Sequence, residues 1–192
     1  SDLGRVPEFP FARLRRFPDV EAPNLRAWDA TDELLVAAAL ADAAHRGIDG
    51  SAVAVIGDGY GALTLPLVAA GLDGVRVHQD LVTGRRALAR NADALGLSGF
   101  APHELDAELL NGARLVLLQL PKGLAELEEI ADAVARWAAP DAVLLAGGRV
   151  KHMTLAQNEV LARFFGRVQP QRAERKSRLI VAADPLPVPA DP

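Results

Sequence analysis

The run Ala52-Val53-Ala54-Val55-Ile56-Gly57-Asp58-Gly59-Tyr60-Gly61 decides how this chain folds. Its apolar half is continuous and rich in β-branched residues, the pattern of a strand buried on both faces. Glycines at 57, 59 and 61 then turn the backbone, and residues 62–70 resume a helical apolar spacing, so the unit reads strand, glycine turn, helix. Upstream, Leu34, Leu35, Ala38, Ala39 and Ala43 recur at helical spacing within residues 29–46, with Asp29 or Thr31 as a cap and Gly47 as a stop. Downstream the alternation continues. Residues 75–78, 113–118 and 142–146 predict strands, and 81–95, 124–138 and 154–165 predict helices, the first of these carrying Arg85, Arg86 and Arg90 on its polar side. Residues 100–104 are an edge strand or a loop. Residues 167–174 and 177–183 read as two strands joined too tightly for a parallel crossover, hence an antiparallel pair closing the sheet.

Alternating strands and helices imply an α/β domain with a mostly parallel sheet and helices on both faces. We place it at residues 25–184. An extended arm, residues 1–24 with prolines at 7, 10, 18 and 23, precedes it, and the proline-rich residues 185–192 follow as a linker or tail. The 192 residues suit one well-buried core, with 50% hydrophobic and 24% charged residues. No apolar stretch of about 18 residues lacks charge, so no membrane span is expected. The first 20 residues scatter Arg and Pro where a secretory signal would place an apolar run, and no cysteine is present, which fits a cytoplasmic protein. A net charge of -4 confines any nucleic-acid role to local basic patches.

Open sheets of this kind bind ligands outside the carboxyl ends of their strands, where the strand order reverses. Gly57, Gly59 and Gly61 would let the backbone approach a ligand there, and Asp80, about 20 residues on, stands where an acid accepts hydrogen bonds from ribose hydroxyls. Together they suggest a nucleoside pocket. Asp80 could instead cap the helix starting near Leu81. The four histidines, His45, His78, His103 and His152, show no metal-ligand spacing and read as surface or helix-end residues. Neither a nucleophile-elbow serine nor a phosphate loop occurs, and a nicotinamide-dependent oxidoreductase would lack a proton donor beside the glycine turn. No metal site and no catalytic set is therefore expected.

The glycine turn, Asp80 and the closing pair resemble the S-adenosylmethionine-dependent methyltransferase fold, a Rossmann-like architecture. More specifically, Leu14-Arg15-Arg16-Phe17-Pro18, Ala27-Trp28-Asp29-Ala30-Thr31-Asp32-Glu33, Gly59-Tyr60-Gly61-Ala62-Leu63, Leu120-Pro121-Lys122 and Lys176-Ser177-Arg178-Leu179-Ile180 resemble, in order, the amino-terminal half of the ribosomal RNA guanine-N2 methyltransferases. That resemblance implies a duplicated fold whose carboxyl half binds S-adenosylmethionine and catalyses, with this half as its partner. Two departures point the same way. Active members of the broader class carry an acid two positions before the first turn glycine, where this chain has Val55. Amino-methylating enzymes carry Asn or Asp, two prolines and an aromatic after the later strand, where this chain has Leu120-Pro121-Lys122-Gly123. Gln119 is adjacent, but neighbouring strand residues face opposite ways.

The resemblance thus implies a non-catalytic domain that supports a catalytic half and binds S-adenosylmethionine weakly or not at all. Arg172, Arg175, Lys176 and Arg178, and a second group Arg13, Arg15 and Arg16, could neutralise ribosomal RNA phosphates or serve as ordinary solvated charges. Lys122, Arg149 and Lys151 would add charge near strand ends, and Trp28 is expected to pin the first helix to the core. The alternatives are a self-sufficient methyltransferase with an atypical site, or a pseudo-enzyme that retains a nucleoside.

Overall fold

The computed structural model describes residues 8–22 and 25–189. Parts of the expected arm and tail, residues 1–7, 23–24 and 190–192, lie outside the described residues. Among the described residues seven strands form one sheet: β1 (Val53–Ile56), β2 (Val75–His78), β3 (Phe100–Pro102), β4 (Leu115–Gln119), β5 (Val143–Arg149), β6 (Phe165–Pro170) and β7 (Ser177–Pro185). Their order is β3-β2-β1-β4-β5-β7-β6. The first five strands pair in parallel, and β7 runs antiparallel to both β5 and β6. The ambiguous 100–104 segment is the parallel edge strand.

Among the described residues six α-helices cover the sheet: α1 (Ala30–Arg46), α2 (Thr64–Ala69), α3 (Val82–Leu95), α4 (Ala107–Leu110), α5 (Leu124–Trp137) and α6 (Leu155–Phe164). Strand alternation divides the apolar residues into two cores. Val53, Val55, Val77, Leu115 and Leu117 face α1, α2 and α3, whereas Ala54, Ile56, Val116 and Leu118 face α4, α5 and α6. Each fully buried Val, Ile or Leu side chain contributes roughly 1.5–3 kcal/mol of transfer free energy. Helix α1 is capped as its sequence suggests. The Asp29 carboxylate accepts from the Asp32 N–H, the Asp32 carboxylate accepts from the Asp29 N–H, and Gly47 ends the helix at φ 65°.

The segment before α1 is less extended than its prolines suggest. It contains a 3-10 turn at Phe11–Arg13, and Phe11 and Leu14 are buried in the α1 core. Trp28 packs on the same core and stacks on Phe11 at 6.4 Å. Two further expectations shift. Strand β6 begins earlier than residue 167 and ends at Pro170, because a proline withdraws a ladder donor, and the short α4 had no periodic signal to reveal it. The β6–β7 connection closes through Arg175 (φ 47°) and Lys176 (φ 63°), two consecutive left-handed residues of the kind that twist a tight hairpin correctly. Among the described residues, no helix is long and apolar enough to cross a membrane.

Candidate functional site

Strand β1 lies between β2 and β4, and the chain leaves β1 toward the α2 face but leaves β4 toward the α5 face. That reversal is the switch point where a ligand crevice belongs. A cleft of about 720 Å³ opens there, lined among others by Gly57, Gly59, His78, Asp80, Leu118 and Lys122.

The three turn glycines do different things. Gly57 adopts φ 82°, and its N–H donates to the His78 carbonyl at 3.0 Å, closing the turn on β2. A Cβ on Gly59 would meet nothing within 4 Å, so its backbone faces open space. Gly61 faces inward: a Cβ there would come within 2.7 Å of Leu65 Cδ1, so this glycine serves packing between the loop, Leu65 and Leu88. Between them Asp58 is fully buried, and its carboxylate accepts the N–H groups of Gly61 (3.0 Å), Leu63 (3.3 Å) and Thr64 (2.8 Å). Burial pushes the Asp58 carboxyl up, and those donors pull it back. The donors that open α2 are therefore spent inside the protein. Sequence reading passed over Asp58 as a turn residue; its position between two glycines before a helix was the available signal.

Asp80 does not cap α3, whose first position Leu81 makes no side-chain cap bond. Its carboxylate lies 2.8 Å from His78 Nε2 at the mouth of the cleft, while His78 Nδ1 is 2.9 Å from the His103 carbonyl. The ring thus spans from the Asp80 carboxylate on one side to the His103 carbonyl on the other. His78 is 7% exposed, which corrects its expected surface placement: it sits in a central strand, where the side chain turns inward. Asp80 can still reach a ribose in the cleft only by sharing or releasing this imidazole.

Val55 is fully buried in the α1 core, beside Val77 of β2 and Leu117 of β4. No carboxylate reaches the loop from that position. Gln119 belongs to the end of β4 and turns to α1, donating from Nε2 to Asp32 Oδ1 at 2.6 Å. Asp32 is 8% exposed, and burial, with Asp29 and Asp58 nearby, pushes its carboxyl up to about 8. Leu120 packs over Gly148, and Lys122 is exposed at the cleft rim. No acceptor for an amine and no aromatic platform stands at residues 120–123.

The N-terminal segment closes the loop from outside. Asn91 of α3, 3% exposed, donates from Nδ2 to the carbonyls of Arg15 (2.9 Å) and Tyr60 (2.7 Å) and accepts the Arg15 N–H at 2.9 Å. The Tyr60 hydroxyl donates to Asp19 at 2.7 Å and accepts from Arg16 Nη2 at 3.0 Å. None of this was legible before the fold was known, because the partners lie up to 76 residues apart.

The basic residues near the end gather at the carboxyl edge of β5. Arg172, Arg175 and Lys176 are exposed on the β6–β7 hairpin, Arg178 is half-buried beside Gly148, and Lys176 accepts through its carbonyl from the Val150 N–H at 2.9 Å, bringing Lys151 to the same edge. They are not all unengaged. Arg175 pairs with Glu33 of α1 at 2.9 Å, and Arg178 Nε donates to the Gln171 carbonyl at 3.1 Å. Among the described residues no group of His, Asp or Glu could hold a metal ion.

These residues do not fit S-adenosylmethionine as a whole. The cleft, Gly59 and the second oxygen of Asp80 leave room for a nucleoside, but Val55 stands where the turn acid would be and the Gly61, Leu63 and Thr64 N–H groups are occupied by Asp58. No methyl-transfer step follows from this geometry.

Comparison with known proteins places the chain. Residues 7–185 match the RLMG N-terminal domain. "Ribosomal RNA large subunit methyltransferase G" of Pseudomonas paraeruginosa is 35% identical over 190 residues, covering 95% of this chain and 49% of that protein. Its Pseudomonas aeruginosa counterpart is 34% identical over 192 residues, again 95% and 49%. The chain spans about half the length of the curated relatives it matches. In fold it is similar to the 16S rRNA N2 methyltransferase RsmC of T. thermophilus, solved with AdoMet and guanosine, at 20% identity and TM-score 0.64 over 82% of this chain and 43% of that one. It is also similar to magnesium protoporphyrin IX methyltransferase of Synechocystis with bound SAM, at 20% identity and TM-score 0.62 over 92% and 91%. The fold is the Rossmann-like methyltransferase fold, and the chain belongs to the RLMG N-terminal domain family.

Proposed function

We propose that this chain is the non-catalytic amino-terminal domain of a cytoplasmic ribosomal RNA (guanine-N2) methyltransferase, supporting a catalytic carboxyl half and docking ribosomal RNA through Arg172, Arg175, Lys176 and Arg178. The observation that carries the reading is the internal satisfaction of the ligand loop. Asp58 occupies the Gly61, Leu63 and Thr64 N–H groups and Val55 is sealed in the core, so the methionine end of S-adenosylmethionine finds no acid at residue 55 and these three donors already taken. The curated relatives, about twice as long, have room for a second domain to bind cofactor. For the RNA surface the support is local charge on a chain of net charge -4.

The test has two arms. Charge reversal of Arg172, Arg175 and Arg178 should weaken binding to a ribosomal RNA fragment and flatten its salt dependence by roughly two to three in log–log slope, since each lost phosphate contact removes about 0.7–0.9. Equal affinity and slope in parent and variant would remove the docking role. Separately, adding this chain to its carboxyl half should raise that half's methylation rate or melting temperature; no effect on either would remove the supporting role.

A second reading, a domain that retains a nucleoside, is favoured by the cleft of about 720 Å³, a volume in the range of small-molecule sites. Adenosine at millimolar concentration would then raise the melting temperature of the isolated chain, and an unchanged melting curve would exclude it.

A further inference from the structure

Two phenylalanines of the N-terminal segment have opposite fates. Phe11 is buried, whereas Phe17 is 50% exposed and belongs to neither core. Its exposure is not that of a loose loop. Asn91 grips the Arg15 backbone through both its N–H and its carbonyl, and the Glu21 carboxylate accepts the N–H groups of Arg16 (2.9 Å) and Phe17 (3.1 Å). The Asp19 N–H closes a turn on the Arg16 carbonyl at 2.7 Å. A large apolar ring is thus held facing solvent by a fixed backbone.

One charged group meets that ring. The Arg90 guanidinium lies 4.4 Å from the Phe17 ring centroid. Arg90 ends an exposed stripe on α3, Val82, Arg86 and Arg90, spaced four residues apart along one helix face. Neither Arg86 nor Arg90 has a hydrogen bond or ion pair among the described residues. Arg13 reaches the end of the same helix, donating to the Ala94 carbonyl at 3.1 Å. The nearby acids are mostly engaged: Asp19 takes Tyr60 and Arg16, and Glu21 takes two backbone donors. Asp93, exposed on the following turn, and Glu8, which lines a surface pocket with Arg13, are carboxylates without such partners.

A fixed, exposed ring beside uncompensated arginines matches what an unpaired nucleotide strand requires, a face for a base and cations for its phosphates. We propose that Phe17 and Arg90 form a stacking platform for an unpaired base of RNA, with Arg86 and Arg13 meeting the flanking phosphates. This rests on the RNA-docking reading and adds a contact at the β2–β3 end of the sheet, opposite the β6–β7 hairpin. The two surfaces differ in chemistry: the hairpin carries charge without an aromatic ring and contacts backbone, whereas this platform contacts a base.

The experiment is fluorescence anisotropy with labelled single-stranded oligoadenylate and an abasic oligomer of equal length, using the parent chain, Phe17→Ala, Phe17→Trp and the Arg172, Arg175, Arg178 charge-reversal variant. Phe17→Ala should bind oligoadenylate about tenfold more weakly, the abasic oligomer as the parent does, and melt unchanged because the ring is outside the core. Phe17→Trp should keep parental affinity, and the hairpin variant should lose affinity for both oligomers alike. Undiminished oligoadenylate binding by Phe17→Ala, with the hairpin variant impaired, overturns the platform and leaves the docking reading standing. No binding of either oligomer by the parent overturns both. Parental RNA binding by Phe17→Ala with lost association to the catalytic half would make the ring a protein contact and overturn the platform.

Discussion

Replacing Val55 by aspartate restores the acid that active methyltransferases place before the glycine turn, and the fold sets its cost. Val55 is fully buried, with Val77 and Leu117 as its register partners on either side. Removing the isopropyl group forfeits about 2 kcal/mol of transfer free energy. A protonated acid left without a partner there costs roughly 1–3 kcal/mol more. Ionisation adds to this, because an acid buried among apolar side chains keeps its proton and its folded pKa rises above the unfolded value of about 3.9. A raised folded pKa means stability is lost as pH rises, by about 1.4 kcal/mol per unit while the folded form stays protonated. At pH 7 the total is roughly 7–9 kcal/mol, against a typical domain stability of about 5–15 kcal/mol. Urea unfolding followed by circular dichroism should show Val55→Asp nearly unfolded at pH 7 and partly recovered at pH 5, whereas Val55→Asn should show a deficit that does not change with pH. A Val55→Asp protein within about 1 kcal/mol of the parent at pH 7, and binding S-adenosylmethionine, would refute the reasoning.

Asp32 makes a second pH test. Its carboxyl is pushed up by burial to about 8, so its contribution is fully present below about 4 and is lost as pH rises toward 8; Asp32→Asn should flatten the fall in urea midpoint over that window, and parallel profiles would contradict it. Asn91→Ala removes three hydrogen bonds from a buried site and should cost roughly 2–4 kcal/mol while opening residues 15–17 to trypsin, measured by melting and limited proteolysis. Lys176→Gly relieves a φ of 63° and should raise stability by roughly 0.5–1 kcal/mol, checked by the urea midpoint. Gly61→Ala should destabilise through its clash with Leu65 and its φ of 93°, whereas Gly59→Ala, whose Cβ meets nothing, should be tolerated, both read from thermal melts.

The architecture was legible because its elements announce themselves through period. Val53–Ile56 is an apolar run no helix face would need, and Leu124–Trp137 spaces its apolar residues at three and four. Position along the chain also located the cleft, since Gly57 and Gly59 stand on the turn after the first strand. Chemistry at the site was harder to read. Asp80 was visible as an acid, but its engagement by His78 depends on two side chains emerging together at the end of β2, and the Asp58 carboxylate folds back on donors that sequence leaves nominally free. Asn91 looked like one polar residue on an amphipathic helix; only the path of the N-terminal segment across α3 shows it as a clamp. Such contacts join residues far apart in sequence, and no periodicity encodes them.

The central claim is that the ligand loop has been closed from within, and calorimetric titration of S-adenosylmethionine into the unmodified chain tests it most directly. With buried Val55 where an acid would stand and the Gly61, Leu63 and Thr64 N–H groups taken by Asp58, the expected charge-assisted contacts at the methionine end are lost, each typically about 1.5–3 kcal/mol or one to two decades of affinity. The expected result is no measurable heat at millimolar cofactor. Saturable binding in the micromolar range would contradict it.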